Sequence, residues 1–205
     1  MPRLTYRHPM PDLQPNWPDR LQRAALSTLG EESPAHLGSI AARHTSQFPI
    51  ARFLATALGA RTEPPSREPK SLDEHLWAAV AGLGKTPSAP ESPTGPITGA
   101  YESGAIEVWT ETELACVHAA WSLGSKWQDA ARRSARWLLE NIQPDNATNH
   151  PWAVHVFATL AAEADDIEFD LYAQTLLHNS VVSQGRPDVF SALILLHASR
   201  AIQAG

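Results

Sequence analysis

Cysteine is almost missing from this sequence: among 205 residues there is one, Cys116. A single cysteine cannot form an intramolecular disulfide, so an apolar core has to hold the fold, and a reducing, cytoplasmic location is expected. Long apolar runs are also missing. No uncharged run approaches the ~20 residues that cross a bilayer, which argues against a membrane span. The first five residues lack the apolar core of a signal peptide.

Basic charge is scarce as well, with 16 lysines and arginines against 22 acidic residues and a net charge of -6. Nucleic-acid binding requires a basic face, so nucleic acid is excluded as a partner. The sequence has no P-loop, no GxGxxG fingerprint and no GxSxG elbow. It also has no HExxH and no paired CxxC motif. We therefore expect neither a cofactor nor a metal.

Proline is distributed unevenly, with only Pro144, Pro151 and Pro187 of its 17 residues lying after residue 100. Because proline fixes φ and lacks an N–H group, the first half should be irregular and broken into short segments. We expect an extended arm at 1–18 and one helical domain at 19–205, with short helices near 19–29, 35–44 and 49–58. A small hairpin is expected at 97–109, turning at Ser103-Gly104.

A proline-rich linker occupies residues 84–96, where prolines recur at every third position. This is the period of polyproline II. The segment is interpreted as a stiff surface spacer, and a ligand for a proline-binding partner domain is the alternative.

The second half carries repeated helix-capping signals. A residue that can cap a helix is followed three positions later by Glu or Gln at Ser71, Thr110, Ser125 and Asp165. In such a capping box, the first side chain accepts a hydrogen bond from an unsatisfied N–H group of the first turn. With prolines opening the others, helices are predicted near 71–83, 110–123, 125–142, 151–162, 165–183 and 187–205.

These helices alternate in character. Segments 114–123, 152–160 and 189–198 are apolar on nearly every face, which is typical of helices inside an assembly. The helices between them have one polar side. His118, His155 and His197 recur at intervals of roughly 40 residues, and His75 precedes them by a similar interval. The predicted fold is all-α and built of α/α hairpin repeats as a partial or minimal α/α toroid, with a plain helical bundle as the alternative.

The segment 137–145, read WLLENIQPD and followed by Pro151-Trp152, resembles the repeat of squalene-cyclase and prenyltransferase-type α/α toroids. In that family an outer helix ends in an aromatic–aliphatic pair and a glutamine, and a glycine- and tryptophan-containing turn leads into the next inner helix. Here the glycine is missing and the turn from Gln143 to Trp152 is longer. The resemblance covers about residues 72–205 and implies a scaffold whose functional groups line a central cavity.

The candidate cavity-lining residues are His118, His155, His197, Trp121 and Trp152. Histidines at matching heights could bind a polar ligand, whereas separate core histidines are the structural alternative. A zinc site that also used Cys116 is disfavoured, because the side chains of residues two positions apart on a helix, such as Cys116 and His118, point about 200° away from each other.

A polar loop from Gln143 to His150 joins an outer helix to an inner one, and binding residues collect on such loops. The candidate rim residues are Gln143, Asp145, Asn146 and His150. The acidic string 165–170 resembles the aspartate-rich motif of class I terpene synthases. We interpret it as helix capping, with Asp165 at the cap. Trp109, Trp121, Trp137 and Trp152 could stack on sugars, and core packing is the alternative.

The functional prediction is a binding or interaction scaffold with a protein or small-molecule partner. The alternative is a toroid-type enzyme, terpenoid-cyclase-like, prenyltransferase-like or glycan-acting, that uses the central cavity. A homodimer interface on the concave surface is a third alternative. Histidines that converge beside an open polar pocket would favour an enzyme or a ligand site, and histidines packed by tryptophan and leucine would favour a scaffold.

Overall fold

The structure, a computed structural model, describes residues 16–44, 49–63, 67–92, 94–143 and 150–204. In these ranges it has nine helices and no strand: α1 (Trp17–Leu29), α2 (Pro34–His44), α3 (Ile50–Ala57), α4 (Leu72–Val80), α5 (Ile106–Trp121), α6 (Ser125–Asn141), α7 (Val154–Ala164), α8 (Ile167–Val181) and α9 (Val189–Ala204). The prediction of an all-α fold is confirmed for this part of the chain. None of its helices is long and apolar enough to cross a membrane.

The first helix packs along the last one, so the two ends of the described chain meet. In α1 the buried side chains recur every fourth residue, at Trp17, Leu21, Ala25 and Leu29, which gives the helix one apolar face. Two hydrogen bonds close the contact: the Ser199 hydroxyl donates to the Pro18 carbonyl, and the Thr28 hydroxyl to the Pro187 carbonyl.

Burial differs between successive helices of the second half. In α5 every residue from Glu113 to Ala120 is buried, and in α9 every residue from Phe190 to Ser199. In α7 the run from Val154 to Ala158 is buried. The buried residues of α6 and α8 are spaced along one face instead. The helices α5, α7 and α9 therefore surround the centre, and α6 and α8 cover it with one side each.

The expected hairpin at 97–109 is wrong, because α5 begins at Ile106 within it. The capping box at Thr110 is wrong for the same reason, since Thr110 already lies in the second turn. Glu113 does not bond back to the cap residue. Its fully buried carboxylate accepts hydrogen bonds from the Ile97 and Thr98 N–H groups, at 2.6 and 2.7 Å, and from the Thr98 and Ser134 hydroxyls.

Three other predicted helix starts are shifted. The side chain that caps α8 is Asp166, which accepts from the Glu168 N–H group, whereas Asp165 ends α7 with a left-handed φ of 51°. Gly124 rather than Ser125 occupies the N-cap position of α6. At α9, Asp188 accepts from the N–H groups of the first turn, so the cap follows Pro187.

The start of α4 also departs from the predicted box. Ser71 holds the N-cap position, but its side chain makes no capping hydrogen bond. The Glu74 carboxylate instead accepts from the Lys70 N–H group at 2.8 Å and from the Arg67 guanidinium at 2.6 and 2.7 Å. This glutamate secures the chain that precedes α4 rather than the cap residue.

The proline-rich linker lies against α6. Its described residues form neither helix nor strand. Because proline carbonyls have no partners within such a segment, they are free to accept hydrogen bonds from elsewhere. The Trp127 indole N–H donates to the Pro87 carbonyl at 3.1 Å, and Arg133 lies 3.5 Å from the Pro90 carbonyl. The segment is thus attached to the helix beside it. Most of the expected N-terminal arm lies outside the described residues, and α1 begins within its last two positions.

Candidate functional site

Three histidines from three helices meet at the centre of the molecule. The ring centroid of His118 on α5 lies 4.1 Å from that of His155 on α7 and 5.2 Å from that of His197 on α9. His118 and His155 are fully buried, and His197 is 8% exposed. The sequence predicts this set of residues, and the structure brings them together. It does not place them along an open polar cavity.

Tryptophans fill the space around this histidine cluster, which we define as His118, His155 and His197. The fully buried ring of Trp77 on α4 lies 5.2 Å from His118 and 5.1 Å from His197. Trp152, in the turn before α7, lies 5.6 Å from His118. Trp121 is half-buried and lies 6.4 Å from His155, and the Arg132 guanidinium lies over its ring, 4.8 Å from the centroid.

A backbone N–H group determines which ring nitrogens of the cluster carry protons. The Ala153 N–H group donates to Nδ1 of His118 at 3.2 Å, so that nitrogen must be an acceptor. A neutral His118 then carries its proton on Nε2, which lies 3.1 Å from Nδ1 of His197 and donates to it. His197 in turn carries its proton on Nε2. The three groups form a directed chain from α7 through α5 to α9.

The backbone of Ala153 is bent to make this contact. Ala153 has a φ of 58°, a left-handed conformation that costs an L-residue about 1 kcal/mol or more. It occupies the N-cap position of α7 and directs its N–H group to His118. A tight turn before α7 is thereby tied to the cluster.

Burial keeps the histidines neutral. It lowers the pKa of His118 and of His155 well below the usual range, and the neighbouring histidines add to the effect. Burial and the nearby Arg200 lower the pKa of His197 to about 4. Neither ring nitrogen of His155 has a hydrogen-bond partner among the described residues, although the ring is fully buried. The cluster therefore has the electrostatics of a packed core.

The cluster does not have the form of a metal centre. Across the described ranges, no group of three or more histidine, cysteine or carboxylate side chains is arranged to hold a metal ion. The Cys116 thiol is buried, and burial, with the charges of Glu113 and Asp73, raises its pKa well above the usual value. At neutral pH this cysteine is a protonated core residue.

His75 does not join the cluster, contrary to the repeat interval. It is exposed on α4, and Trp77, two residues later, occupies the corresponding place in the core. Positions two apart point to nearly opposite sides of a helix. The repeat interval therefore identified α4 correctly, but the residue of α4 that reaches the core is Trp77 rather than His75.

The rim-loop candidates are only partly described. Gln143 is exposed just beyond α6, and Asp145 and Asn146 lie outside the described residues. His150 is turned inward, where its Nδ1 contacts the Glu111 carboxylate of α5 in an ion pair or hydrogen bond. Its ring also meets the edge of Phe190 at 5.1 Å.

An open cleft of about 270 Å³ has Trp152, which also packs on His118, in its lining. Helices α3, α4, α5 and α9 and the turn before α7 contribute its walls. Its lining consists of Pro49, Ile50, Asp73, Glu74, Val108, Glu111, Thr112, Ala115, Trp152 and Phe190. The rings of Trp152 and Phe190 meet edge to face there, with centroids 5.5 Å apart.

Among the described residues that line this cleft, the acidic side chains are Asp73, Glu74 and Glu111, and they differ in how their charge is compensated. Glu74 is held by Arg67, and this contact lowers the pKa of the carboxyl below its usual range. Glu111 is held by His150. Asp73 differs, because its Oδ1 atom is buried and accepts no hydrogen bond in the described part of the chain.

Of the acidic string near 165–170, Asp166 and Glu168 line an open cleft of about 440 Å³, and Asp165 and Asp170 do not. Asp165 is an exposed residue at the end of α7, and Asp166 caps α8. Asp170 accepts hydrogen bonds from the Trp17 indole at 3.1 Å and from Gln174. Asp166 and Asp170 therefore have structural roles, and the cap of α8 lies one residue later than the sequence predicts.

No pattern in the sequence indicated the cleft. The sequence pattern predicts Glu74 as part of the capping box at Ser71 and indicates no role for Asp73 or Glu111. A carboxylate spacing of three or four along one helix would have been a signal, but these residues come from two helices. Comparisons of the chain with protein-family models, with curated proteins and with solved structures find no match.

Proposed function

We propose that this chain is a helical binding module that takes a small molecule in the cleft beside Trp152. The observation that carries the proposal is the position of Trp152 between two environments. Its indole packs on His118 and Trp77, with only 2% of the residue exposed, and Trp152 also lines the open cleft. A ligand can enter the cleft, whereas the histidines behind the indole are buried.

The arrangement of the helices supports a related proposal, that the scaffold is a set of α/α hairpins of the toroid type. The pairs α5–α6 and α7–α8 are successive in the chain and pack on each other. In each pair the first helix is buried in a continuous run and the second on one face only. Each first helix needs its neighbours to cover it, which is the property that defines such repeats.

The enzyme alternative would have to use the cleft rather than the histidine cluster. One contact favours it, the pairing of His150 with Glu111 at the cleft wall. Histidine is the side chain that most often acts as a general acid or base, and a carboxylate partner orients its ring. If the cleft is catalytic, we expect H150Q to abolish turnover while a ligand still binds.

A thermal-shift screen of small molecules tests the proposed function. Thr112 lines the cleft, and Thr112→Phe should fill it. Thr175→Phe is a matched control, because both threonines are half-buried and each donates its hydroxyl to the carbonyl four residues earlier on its helix. A ligand at about a hundred times its dissociation constant adds roughly 2.7 kcal/mol to stability.

We expect compounds that raise the Tm of the unmodified chain and of Thr175→Phe but not that of Thr112→Phe. Compounds that stabilise all three proteins equally would place binding outside the cleft and overturn the proposal. A chemically broad library in which no compound shifts the Tm would also count against it.

A further inference from the structure

Two donors on α6 contact the carbonyls of two linker prolines that are three positions apart. The Trp127 indole N–H donates to the Pro87 carbonyl at 3.1 Å, and an Arg133 guanidinium nitrogen lies 3.5 Å from the Pro90 carbonyl. Six positions of a helix rise by about 9 Å along its axis, and three residues of polyproline II rise by about the same distance. Arg133 starts about 120° further around the helix, and its long side chain spans that offset. The donors of α6 therefore match the carbonyl spacing of successive prolines.

Burial along the linker also has the three-residue period of polyproline II. Lys85, Ser88 and Glu91 are exposed, whereas Pro87 and Pro90 are half-buried. Because polyproline II has three residues per turn, residues three positions apart lie on one face of the segment. The prolines thus form the face that meets α6, and the polar residues form the outer face.

The linker is held more firmly at its far end than in its middle. At the far end, the Ile97 and Thr98 N–H groups donate to the buried Glu113 carboxylate. Along the middle, an open cleft of about 900 Å³ follows the junction with α6, lined by residues 86–92 and by residues between 123 and 133. Exposed segments beside open space separate locally at low free-energy cost. The middle of the linker is therefore the part that can lift from α6.

We propose that the face of α6 from Trp127 to Arg133 is a recognition surface for proline-rich segments, which the chain's own linker occupies and a proline-rich peptide of a partner takes when the linker lifts. Such segments bind aromatic surfaces because their polyproline II form is already set by the prolines, so little conformational entropy is lost. Trp127 is 3% exposed, and its indole N–H is engaged by the linker. A peptide that replaces the linker meets the same donor.

The linker then acts as an internal competitor that controls access to this surface. Because it is part of the same chain, its effective concentration at α6 is high, and a free peptide has to displace it. Weakening the linker should therefore strengthen the binding of a free peptide. This surface is separate from the cleft beside Trp152, and the inference does not depend on the proposed function.

Two peptides of identical composition test the proposal. The first, TPSAPESPTGP, has the sequence of residues 86–96, in which the prolines are three positions apart. The second, TPTPSPAPESG, has a proline at every second position. Binding of each fluorescein-labelled peptide is measured by fluorescence anisotropy, and the only difference between the two peptides is the order of their residues.

The proteins compared are the unmodified chain and a double variant with Pro87→Ala and Pro90→Ala, whose linker loses the fixed φ of its prolines. Trp127→Phe, introduced into the double variant, removes the indole N–H donor and keeps an aromatic ring. Trp137→Phe in the same background is the matched control, because Trp137 is a tryptophan of α6 that packs on another ring, at 5.7 Å, away from the linker contact.

We expect the first peptide to bind the double variant at least tenfold more tightly than the unmodified chain, because the weakened linker competes less. The second peptide should bind the double variant at least tenfold more weakly than the first. Trp127→Phe should weaken binding of the first peptide at least fivefold, and Trp137→Phe should change it less than twofold.

Trypsin cleavage of the unmodified chain keeps the test valid if a variant fails to fold. Lys85 begins the part of the linker that borders the cleft, and cleavage after it requires the linker to leave α6 and enter the protease. An excess of the first peptide should speed cleavage after Lys85 at least threefold, and the second peptide should not.

Three results would overturn the proposal. The first is equal binding of the two peptides, or no binding of either, to the double variant. The second is binding of the first peptide that Trp127→Phe leaves unchanged. The third is a rate of cleavage after Lys85 that the first peptide does not raise above the rate with the second.

Discussion

Nε2 of His118 lies 3.1 Å from Nδ1 of His197, although 79 residues separate the two in the chain. The Ala153 N–H group fixes the direction of this hydrogen bond from the other side of the His118 ring. Three segments of the second half, α5, α9 and the turn before α7, are thereby connected through one neutral imidazole. The tryptophans packed around it close the centre of the molecule.

The first prediction concerns acid stability. The histidine pKa is about 6.5 in the unfolded chain, and that of His197 is about 4 in the folded protein. Below pH 6.5 the unfolded state therefore binds more protons than the folded state. The contribution of His197 to the free energy of unfolding is fully present above about pH 7 and is lost as the pH drops towards 4. His197 alone should account for about 3 kcal/mol of this loss.

Urea unfolding at pH 7.5 and pH 5 measures the effect. His197→Asn keeps an acceptor near the position of Nδ1 and removes the titrating ring, so the loss between the two pH values should shrink. His75→Asn is the control, since His75 is exposed and lies outside the cluster. An unchanged pH dependence in His197→Asn would show that the cluster does not control acid stability.

The second prediction concerns the buried carboxylate of Glu113. Glu113→Ala leaves the Ile97 and Thr98 N–H groups and the Ser134 hydroxyl without their acceptor. Breaking a buried charged network from one side costs about 3 kcal/mol or more. Equilibrium urea denaturation should show this loss, whereas Glu107→Ala at an exposed position of the same helix should change stability by less than about 0.5 kcal/mol.

The third prediction separates two adjacent aspartates. Asp166→Ala removes the side chain that caps α8 and should cost about 1 kcal/mol. Asp165→Gly should instead be neutral or stabilise by up to about 1 kcal/mol, because Asp165 has a φ of 51° that glycine adopts without strain. The Tm values of the two variants, measured side by side, show which substitution is more destabilising. If Asp165→Gly were the more damaging change, the cap would lie at Asp165.

Predictions from the sequence agree with the structure where they depend on the residues of a single helix. The continuous apolar runs at 114–123 and 189–198 predicted helices buried on all sides, because a helix without a polar face cannot remain in water. These runs, together with the one at 152–160, placed His118, His155 and His197 at the centre. Those predictions depend on local composition and on a repeat interval. Both are properties of the sequence that do not require knowledge of tertiary contacts.

Predictions from the sequence were wrong or missing where contacts between distant segments determine the structure. Thr110 and Glu113 have the spacing of a capping box, but a helix that begins at Ile106 turns Glu113 into the core. The cleft combines residues of α3, α4, α5 and α9, and no local pattern relates them. Tertiary packing decides whether an acidic side chain has a partner, as Glu74 has in Arg67, whereas the buried Oδ1 of Asp73 has none among the described residues.

Ring-nitrogen NMR of the ¹⁵N-labelled protein tests most directly the claim that the histidines form a neutral, closed cluster. The shifts of both nitrogens of each ring report its tautomer and charge. At pH 7 we predict His118 and His197 as neutral rings protonated on Nε2, and both should stay neutral when the pH is lowered to 5.5. Rings that titrate near pH 6.5, or a His118 protonated on Nδ1, would contradict the account. The histidine cluster would then again be a candidate functional site.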